Sequence, residues 1–498
     1  MTLRLVSILL MLLISVNSGI AAVLTVQMSA EPTQFDPLQM EDGSALKIAA
    51  NTVGTLFAYD GKGDRWKSLI DNYTVSRDRR LYTFQFKKDL KWSDGKPFHA
   101  DHFILALKRL ENEPVKVSLS DLFPKLNLKK TRATGPRTAE VSLTEPDLQF
   151  PNWLTLPPYA PIRQDMIDTY VGKRTPVVPT LGAYEVVEYK REEYLNLKKN
   201  SYFVEQDQVK VDEVKIRFVG DEGTLLPLLK SGTVDILSKV PVLQLKPIAD
   251  IAQVHEVPVE AVTYLAFDTR KPPFNEKQNR QLFQNVFSVG KRLELARLLK
   301  TGEQAAITFL PQVLMPPGFR RDAQVAAIKS DKQLEFLIQS DSGSRNQTIL
   351  EFAQSILKVE VKWKVGLDLL DWKTHYSKLK TGPDAVYRFG WQNPVSEPFI
   401  VYETLSSKSP NNFTGWSNLN YDALTEKLRQ ENRMVKKLKL ISQLEDILYE
   451  EAPVIPLLSQ VLRFACSKRV LGFRANSFGV ILFRELRLSE SNAIASPQ

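Results

Sequence analysis

Tyr82, Phe84 and Phe86 alternate with Thr83, Gln85 and Lys87, and no other part of the chain restricts its local fold as tightly as Leu81 to Leu110. A period of two reads as a strand with one buried face. Trp92-Ser93-Asp94-Gly95-Lys96-Pro97 follows. Asp-Gly before Pro spells a tight turn, because glycine takes positive φ freely and proline pre-sets its own. Phe103, Leu107 and Leu110, flanked by Ile104 and Ala106, then recur at helical spacing. Strand, turn and helix make a common local unit with no chemistry of its own.

The chain has 498 residues, 43% hydrophobic and 25% charged. That length exceeds one ordinary core and predicts two or three domains of a soluble globular protein. Arg4, the apolar run Leu5 to Val16 and the small residues Gly19-Ile20-Ala21-Ala22 read as a cleaved signal peptide at 1–22. The run is too short for a resident membrane span. No cysteine lies near it, so a lipoprotein is not expected and the mature chain is expected to be exported. The single cysteine, Cys466, lies in a strand-like Leu462-Arg463-Phe464-Ala465-Cys466 and reads as a buried, inert thiol. The net charge of +9 admits nucleic acid, an anionic surface or an acidic ligand as partner. The basic residues are scattered among acids, however, and export argues against nucleic acid. A solvated basic surface is the plainer reading.

Along the chain, strands are expected at Val23–Met28, Val141–Leu143, Gly182–Val187 with Tyr194–Leu197 as a hairpin, Val214–Phe218, Val234–Leu237, Val262–Phe267, Val359–Val365 and Val454–Leu458. Helices are expected at Ile48–Leu56, Leu225–Lys230 before Gly232, Glu351–Leu357, Trp372–Leu379, Tyr421–Leu428 and Met434–Leu448. The spacing of Leu282, Val286, Val289 and Leu293 predicts one continuous helix. No repeat of 20–50 residues is present, so a solenoid is not expected. The class is α/β or α+β, with several domains.

Several phrases then acquire meaning together. They are Glu31-Pro32…Phe35-Asp36-Pro37, Tyr82-Thr83-Phe84…Lys91-Trp92-Ser93-Asp94-Gly95-Lys96-Pro97, Ser231-Gly232-Thr233-Val234-Asp235-Ile236 and Lys271-Pro272-Pro273-Phe274. After them come Asp371-Trp372-Lys373-Thr374, Arg388-Phe389-Gly390-Trp391 and Glu397-Pro398. In this order they resemble the family 5 extracellular solute-binding proteins of ABC importers, the oligopeptide and dipeptide binders among them. The resemblance runs from Val23 to Leu486. It implies an α/β, two-lobed periplasmic-binding-protein fold with an extra inserted domain. Lobe I would hold 23–52, 180–267 and 465–498, the inserted domain 53–179 and lobe II 268–464. It further implies a monomer in the periplasm, without cofactor, metal or catalytic residue, enclosing a peptide or peptide-like ligand by hinge closure and delivering it to an ABC permease.

The resemblance also nominates ligand-binding residues: Glu41 and Gly43 in a loop that meets the peptide, then Trp372, Arg388, Gly390, Trp391 and Gln392. Gly390 would let a ligand backbone approach closely, and Arg388 could grip a carboxylate with its two-pronged guanidinium. Read without the resemblance, Arg388 is an internal salt-bridge partner and the tryptophans are core.

One departure bears on the ligand. Many members of the family place an Asp three residues after the ligand-strand Trp, where it pairs with the peptide's α-ammonium. This chain has Pro394 there. Either Glu41 or Glu397 replaces it, or the ligand lacks a free amine, which points to a modified or non-standard peptide, acidic ones included. His99 and His102 stand where a Thr…Asp helix cap is common; as a metal site the pair is short of the three or four ligands zinc takes. An exported hydrolase has no Gly-x-Ser-x-Gly, His-Glu-x-x-His or P-loop signature in its favour, and Gly61-x-Gly63 is too weak for a nucleotide fingerprint. A binding protein that reports to a chemoreceptor would read the same way in sequence as one that feeds an importer.

Overall fold

The structure, a computed structural model, describes residues 23–114, 120–173, 175–317, 319 and 332–489. The signal-peptide reading at 1–22 lies outside the described residues. Strand β1 (Leu24–Met28) buries Leu24, Val26 and Met28. Asp42 starts helix α1 (Gly43–Thr52) by accepting from the Ala45 amide at 2.8 Å. Sequence spacing places this helix later, at 48–56. The cap satisfies an orphan N–H upstream, and at Val53 the backbone is already extended.

Strands β2 (Ile70–Val75), β3 (Leu81–Phe86), β4 (Arg132–Gly135) and β5 (Thr138–Ser142) form a sheet in the order β2-β3-β5-β4. Tyr82, Phe84 and Phe86 are all buried on one face, as their alternation predicts, each ring contributing about 1.5–3 kcal/mol. Helix α2 (Ala100–Asn112) covers them, with Phe103 edge-on to Phe84 at 6.1 Å. Gly95 takes φ +81°, as the Asp-Gly turn requires.

The rest of the chain builds an eleven-stranded sheet. Its strands are β1, β6 (Tyr184–Lys190), β7 (Tyr194–Lys199), β8 (Glu213–Phe218), β9 (Ile236–Leu237), β10 (Gln253–Phe267), β11 (Glu335–Asp341), β12 (Lys364–Leu370), β13 (Val386–Gln392) and β14 (Val454–Cys466), with Gln304–Ala305 paired beside β14. The order is β12-β11-β13-β10-β14-β9-β1-β8-β7-β6. Two strands carry the sheet from one lobe to the other. They are β10, with 15 residues, and β14, with 13, both longer than their apolar stretches predicted. Their antiparallel ladder shifts register between Pro258 and Val262, and Pro258 has no N–H to give to a ladder.

Two expectations fail in this region. Leu282, Val286, Val289 and Leu293 do not share one helix: α3 (Lys277–Val286) ends and α4 (Val289–Leu299) begins anew. Ser288 caps α4 by accepting from the Lys291 amide at 3.4 Å, and Leu293 is 43% exposed, so the apparent stripe faces two ways. Nor is 359–365 a strand. Helix α5 (Ser344–Glu360) runs through Val359, which is 72% exposed, and β12 starts only at Lys364.

Helices α6 (Trp372–Thr381), α7 (Leu419–Arg429) and α8 (Met434–Glu451) complete the second lobe. One core packs Leu24, Val26, Ile48, Tyr184 and Phe483 in the first lobe. Another gathers Leu265, Phe267, Phe283, Ile338 and Trp363 in the second. A third joins the aromatic interior of the inserted region to Phe399, Tyr402 and Leu444 of the second lobe. Cys466 is fully buried at the end of β14, and burial pushes its thiol far up.

Candidate functional site

Strand β13 reads Val386-Tyr387-Arg388-Phe389-Gly390-Trp391-Gln392. Along one edge it pairs with β10 for its whole length, from Phe267 opposite Val386 to Ala261 opposite Gln392. Along the other edge, β11 meets only Val386 and Tyr387 before turning aside. The Asp268 amide donates to the Ala385 carbonyl at 3.1 Å, and the Asn393 amide donates to the Glu260 carbonyl at 2.8 Å. The odd-numbered residues therefore aim their backbone groups at β10. By the two-residue period, Arg388, Gly390 and Gln392 aim theirs at the edge that β11 leaves. Among the described residues, no strand covers the Gly390 and Gln392 positions of that edge. An uncovered ladder of this kind is a template for an added strand.

Where β11 and β13 part, the buried His375 of α6 lies with Nδ1 2.9 Å from the Gln339 amide nitrogen, and burial holds its pKa below the usual value. Arg388 is almost wholly buried, and its Nη1 donates to Asp341 Oδ1 at 2.8 Å. Burial, followed by the charge of Arg345, lowers the Arg388 pKa, while Asp341 works against both. Arg345 is itself paired with Glu303, at 3.0 Å through Nε and closer still through Nη2. Thr263 Oγ1 accepts from Arg345 Nη2 at 3.1 Å and from Gln460 Nε2 at 3.2 Å. Both guanidinium charges are thus matched internally. A Cβ on Gly390 would stand 3.5 Å from Gln460 Nε2 and from the Val262 carbonyl, which is ordinary contact. The protein's own packing does not demand glycine there.

The opposite face of β13 is apolar. Trp391 is buried in the core, its indole N–H donating to Asn393 Oδ1 at 3.2 Å. Trp372 opens α6 behind its cap Asp371 and is 52% exposed, stacked on Tyr376 at 5.3 Å and on Phe389 at 6.2 Å. The structure therefore gathers Arg388, Gly390, Trp391 and Gln392 on one strand and sets Trp372 over its neighbour Phe389. Glu41 and Gly43 flank Asp42, the cap of α1, and α1 rests on β6 at the far end of the sheet order. Glu397 is engaged elsewhere, accepting from Asn152 Nδ2 at 2.7 Å and from Lys437 Nζ at 3.1 Å.

Sequence reasoning missed Asp341, Glu303 and Arg345. Asp341-Ser342-Gly343 does carry a turn signal that marks the end of a strand. That this end would uncover half of β13 required the sheet order.

Comparison with known proteins adds three findings. The profile of the bacterial extracellular solute-binding proteins, family 5 (middle region), matches residues 67–284. The dipeptide-binding protein DppE of Bacillus subtilis is 24% identical over 478 residues, covering 87% of this chain and 86% of that one. The periplasmic murein peptide-binding protein MppA of Escherichia coli is 24% identical over 465 residues, with 86% of each covered. The unliganded open form of a murein tripeptide-binding protein MppA superposes with a TM-score of 0.78 at 21% identity, covering 94% of this chain and 97% of that one.

Proposed function

We propose that this chain is a divergent member of the family 5 extracellular solute-binding proteins, the substrate-binding component of an ABC-type peptide importer, and that it seats an extended peptide or peptide-like ligand on the open edge of β13. The observation that carries the reading is the uncovered backbone at Gly390 and Gln392. A ligand strand laid there would take main-chain hydrogen bonds, which are indifferent to side-chain identity. Trp372, Arg388 and Trp391 would line the strand, and Glu41 and Gly43 would approach from the first lobe on closure. The two lobes close on the ligand by a two-state motion that its contacts bias.

The charge at the site bears on what is carried. Pro394 offers no carboxylate and Arg388 already has Asp341. The ligand is therefore held by its backbone more than by charged ends, and a blocked amine should be tolerated. Family relatives are binding proteins, and this reading assigns no catalytic residue. No helix among the described residues is long and apolar enough to cross a membrane.

Isothermal calorimetry with tetra-alanine and its N-acetylated form tests the proposal. Affinities within about threefold of each other, a difference under 1 kcal/mol, are expected, together with loss of both in Gly390→Val. Tight binding of free peptides that acetylation abolishes would overturn the backbone-held reading. Turnover of either peptide would overturn the binding-protein assignment itself.

A further inference from the structure

Glu260 lies on the crossing between the lobes, within the register shift of β10 and β14. It is 1% exposed, and no ion pair is made to it among the described residues. Its Oε1 accepts the Ser477 hydroxyl at 2.7 Å and the Ser396 hydroxyl at 2.7 Å, and its Oε2 is 3.5 Å from Asn393 Nδ2. The backbone repeats the pattern: the Glu260 amide donates to the Ser477 carbonyl at 2.9 Å, and its carbonyl accepts from the Asn393 amide at 2.8 Å. Ser396 passes the connection on, its amide donating to the Tyr59 hydroxyl at 3.1 Å. Tyr59 in turn packs its ring on Phe478, 4.9 Å away.

One buried acid without a cation thus ties three parts of the molecule. Ser477 and Phe478 belong to the C-terminal segment that packs with the first lobe. Asn393 and Ser396 form the loop that leaves β13 where its open edge ends. Tyr59 belongs to the inserted region. Burying a carboxylate without a counter-ion is costly, and burial duly raises this one's pKa. A carboxyl kept under such conditions is kept for its acceptors. Rotation of one lobe against the other about β10 and β14 would separate the Ser477 hydroxyl from the Ser396 hydroxyl, which share one oxygen.

We propose that Glu260 is a positioning residue for lobe closure: by accepting both serine hydroxyls it locks the loop 393–396 against the C-terminal segment, so that ligand seating on β13 and closure share one joint. The inference rests on the reading of β13 as the ligand edge.

Small-angle scattering of the ligand-free protein provides the test, with tetra-alanine calorimetry beside it. Glu260→Ala should raise the radius of gyration by about 1 Å over the roughly 23 Å of a compact chain this long. Glu260→Gln keeps an oxygen that can accept both hydroxyls and should stay at the wild-type value. If Glu260→Ala does not fold, Ser396→Ala with Ser477→Ala removes the same bonds and is read in the same way. A variant that melts earlier at an unchanged radius of gyration would make Glu260 merely structural and overturn the proposal. A wild type that binds tetra-alanine beside such a variant leaves the ligand reading standing. A raised radius of gyration in a protein that binds no peptide leaves the joint standing and removes its link to the ligand.

Discussion

His102 shows how one atom decides between two readings. Its Nδ1 accepts from the His99 amide at 3.1 Å and from the Trp92 indole N–H at 3.3 Å, so it closes the start of α2 and pins the turn before it. That role needs an unprotonated nitrogen, and it leaves only Nε2 for any metal. Burial first, then the neighbouring His99, lowers the pKa of His102 to about 4. The folded value lies below the unfolded one near 6.5. Its contribution is therefore complete above pH 6.5, fades as the pH falls toward 4, and is absent below. Between pH 7 and pH 5 the wild type should lose about 1 kcal/mol more stability than His102→Gln, after discounting for partial exposure. Equal losses in urea melts at the two pH values would refute the assignment. Arg388 poses the same kind of choice. From sequence it could grip a ligand or form an internal bridge, and nothing local decided between them, because Asp341 lies 47 residues earlier. Asp341→Asn should cost about 3 kcal/mol by leaving the guanidinium buried and unmatched. It should also shift binding toward peptides with a side-chain carboxylate, which calorimetry against an Ala/Glu peptide pair would read.

At the scale of elements, β13 makes a prediction that alternates along its length. The Phe389 and Trp391 amides face β10 and should exchange slowly with or without ligand. The Gly390 and Gln392 amides face the open edge and should exchange fast until a ligand strand covers them. Residue-resolved hydrogen exchange by mass spectrometry separates the two sets, and uniform protection in the ligand-free protein would close the edge. Gly390→Val should bind at least tenfold more weakly, about 1.4 kcal/mol, since a Cβ meets only ordinary contacts in the protein and the obstruction falls on the ligand. β13 was legible only through the resemblance, whereas β3, the Gly95 turn and α2 were legible because period and turn chemistry agreed there. The helix spanning Leu282 to Leu293 misled because apolar spacing was weighed above Ser288, whose cap restarts the helix. The strand placed at 359–365 misled because β-branched Val359 and Val361 stand at a helix end. Nothing local could show that β11 keeps its pairing with β13 for only two residues, since a free edge is a property of the sheet order.

Two strands carry the sheet between the first and second lobes. The core around Leu24, Tyr184 and Phe483 and the core around Phe267, Phe283 and Trp363 share no buried side chain, and β10 and β14 carry the main-chain ladder between them. The two-lobed class followed from the resemblance, but the length of these strands did not, because Gln253 to Val257 is only half-buried and its Val254 and Val257, three apart, do not keep the alternation that announces a strand face. Lobes with separate cores need not unfold together. Ligand-free, the protein should show a calorimetric enthalpy above its van't Hoff value, the mark of more than one unit. A ligand bound between the lobes favours only the state in which both are folded. At a concentration 100 times its dissociation constant it should add about 2.7 kcal/mol and draw the transitions together. Scanning calorimetry with and without tetra-alanine tests this. A ligand that raised one transition and left the other in place would put the binding site within a single lobe, against closure on the β13 edge.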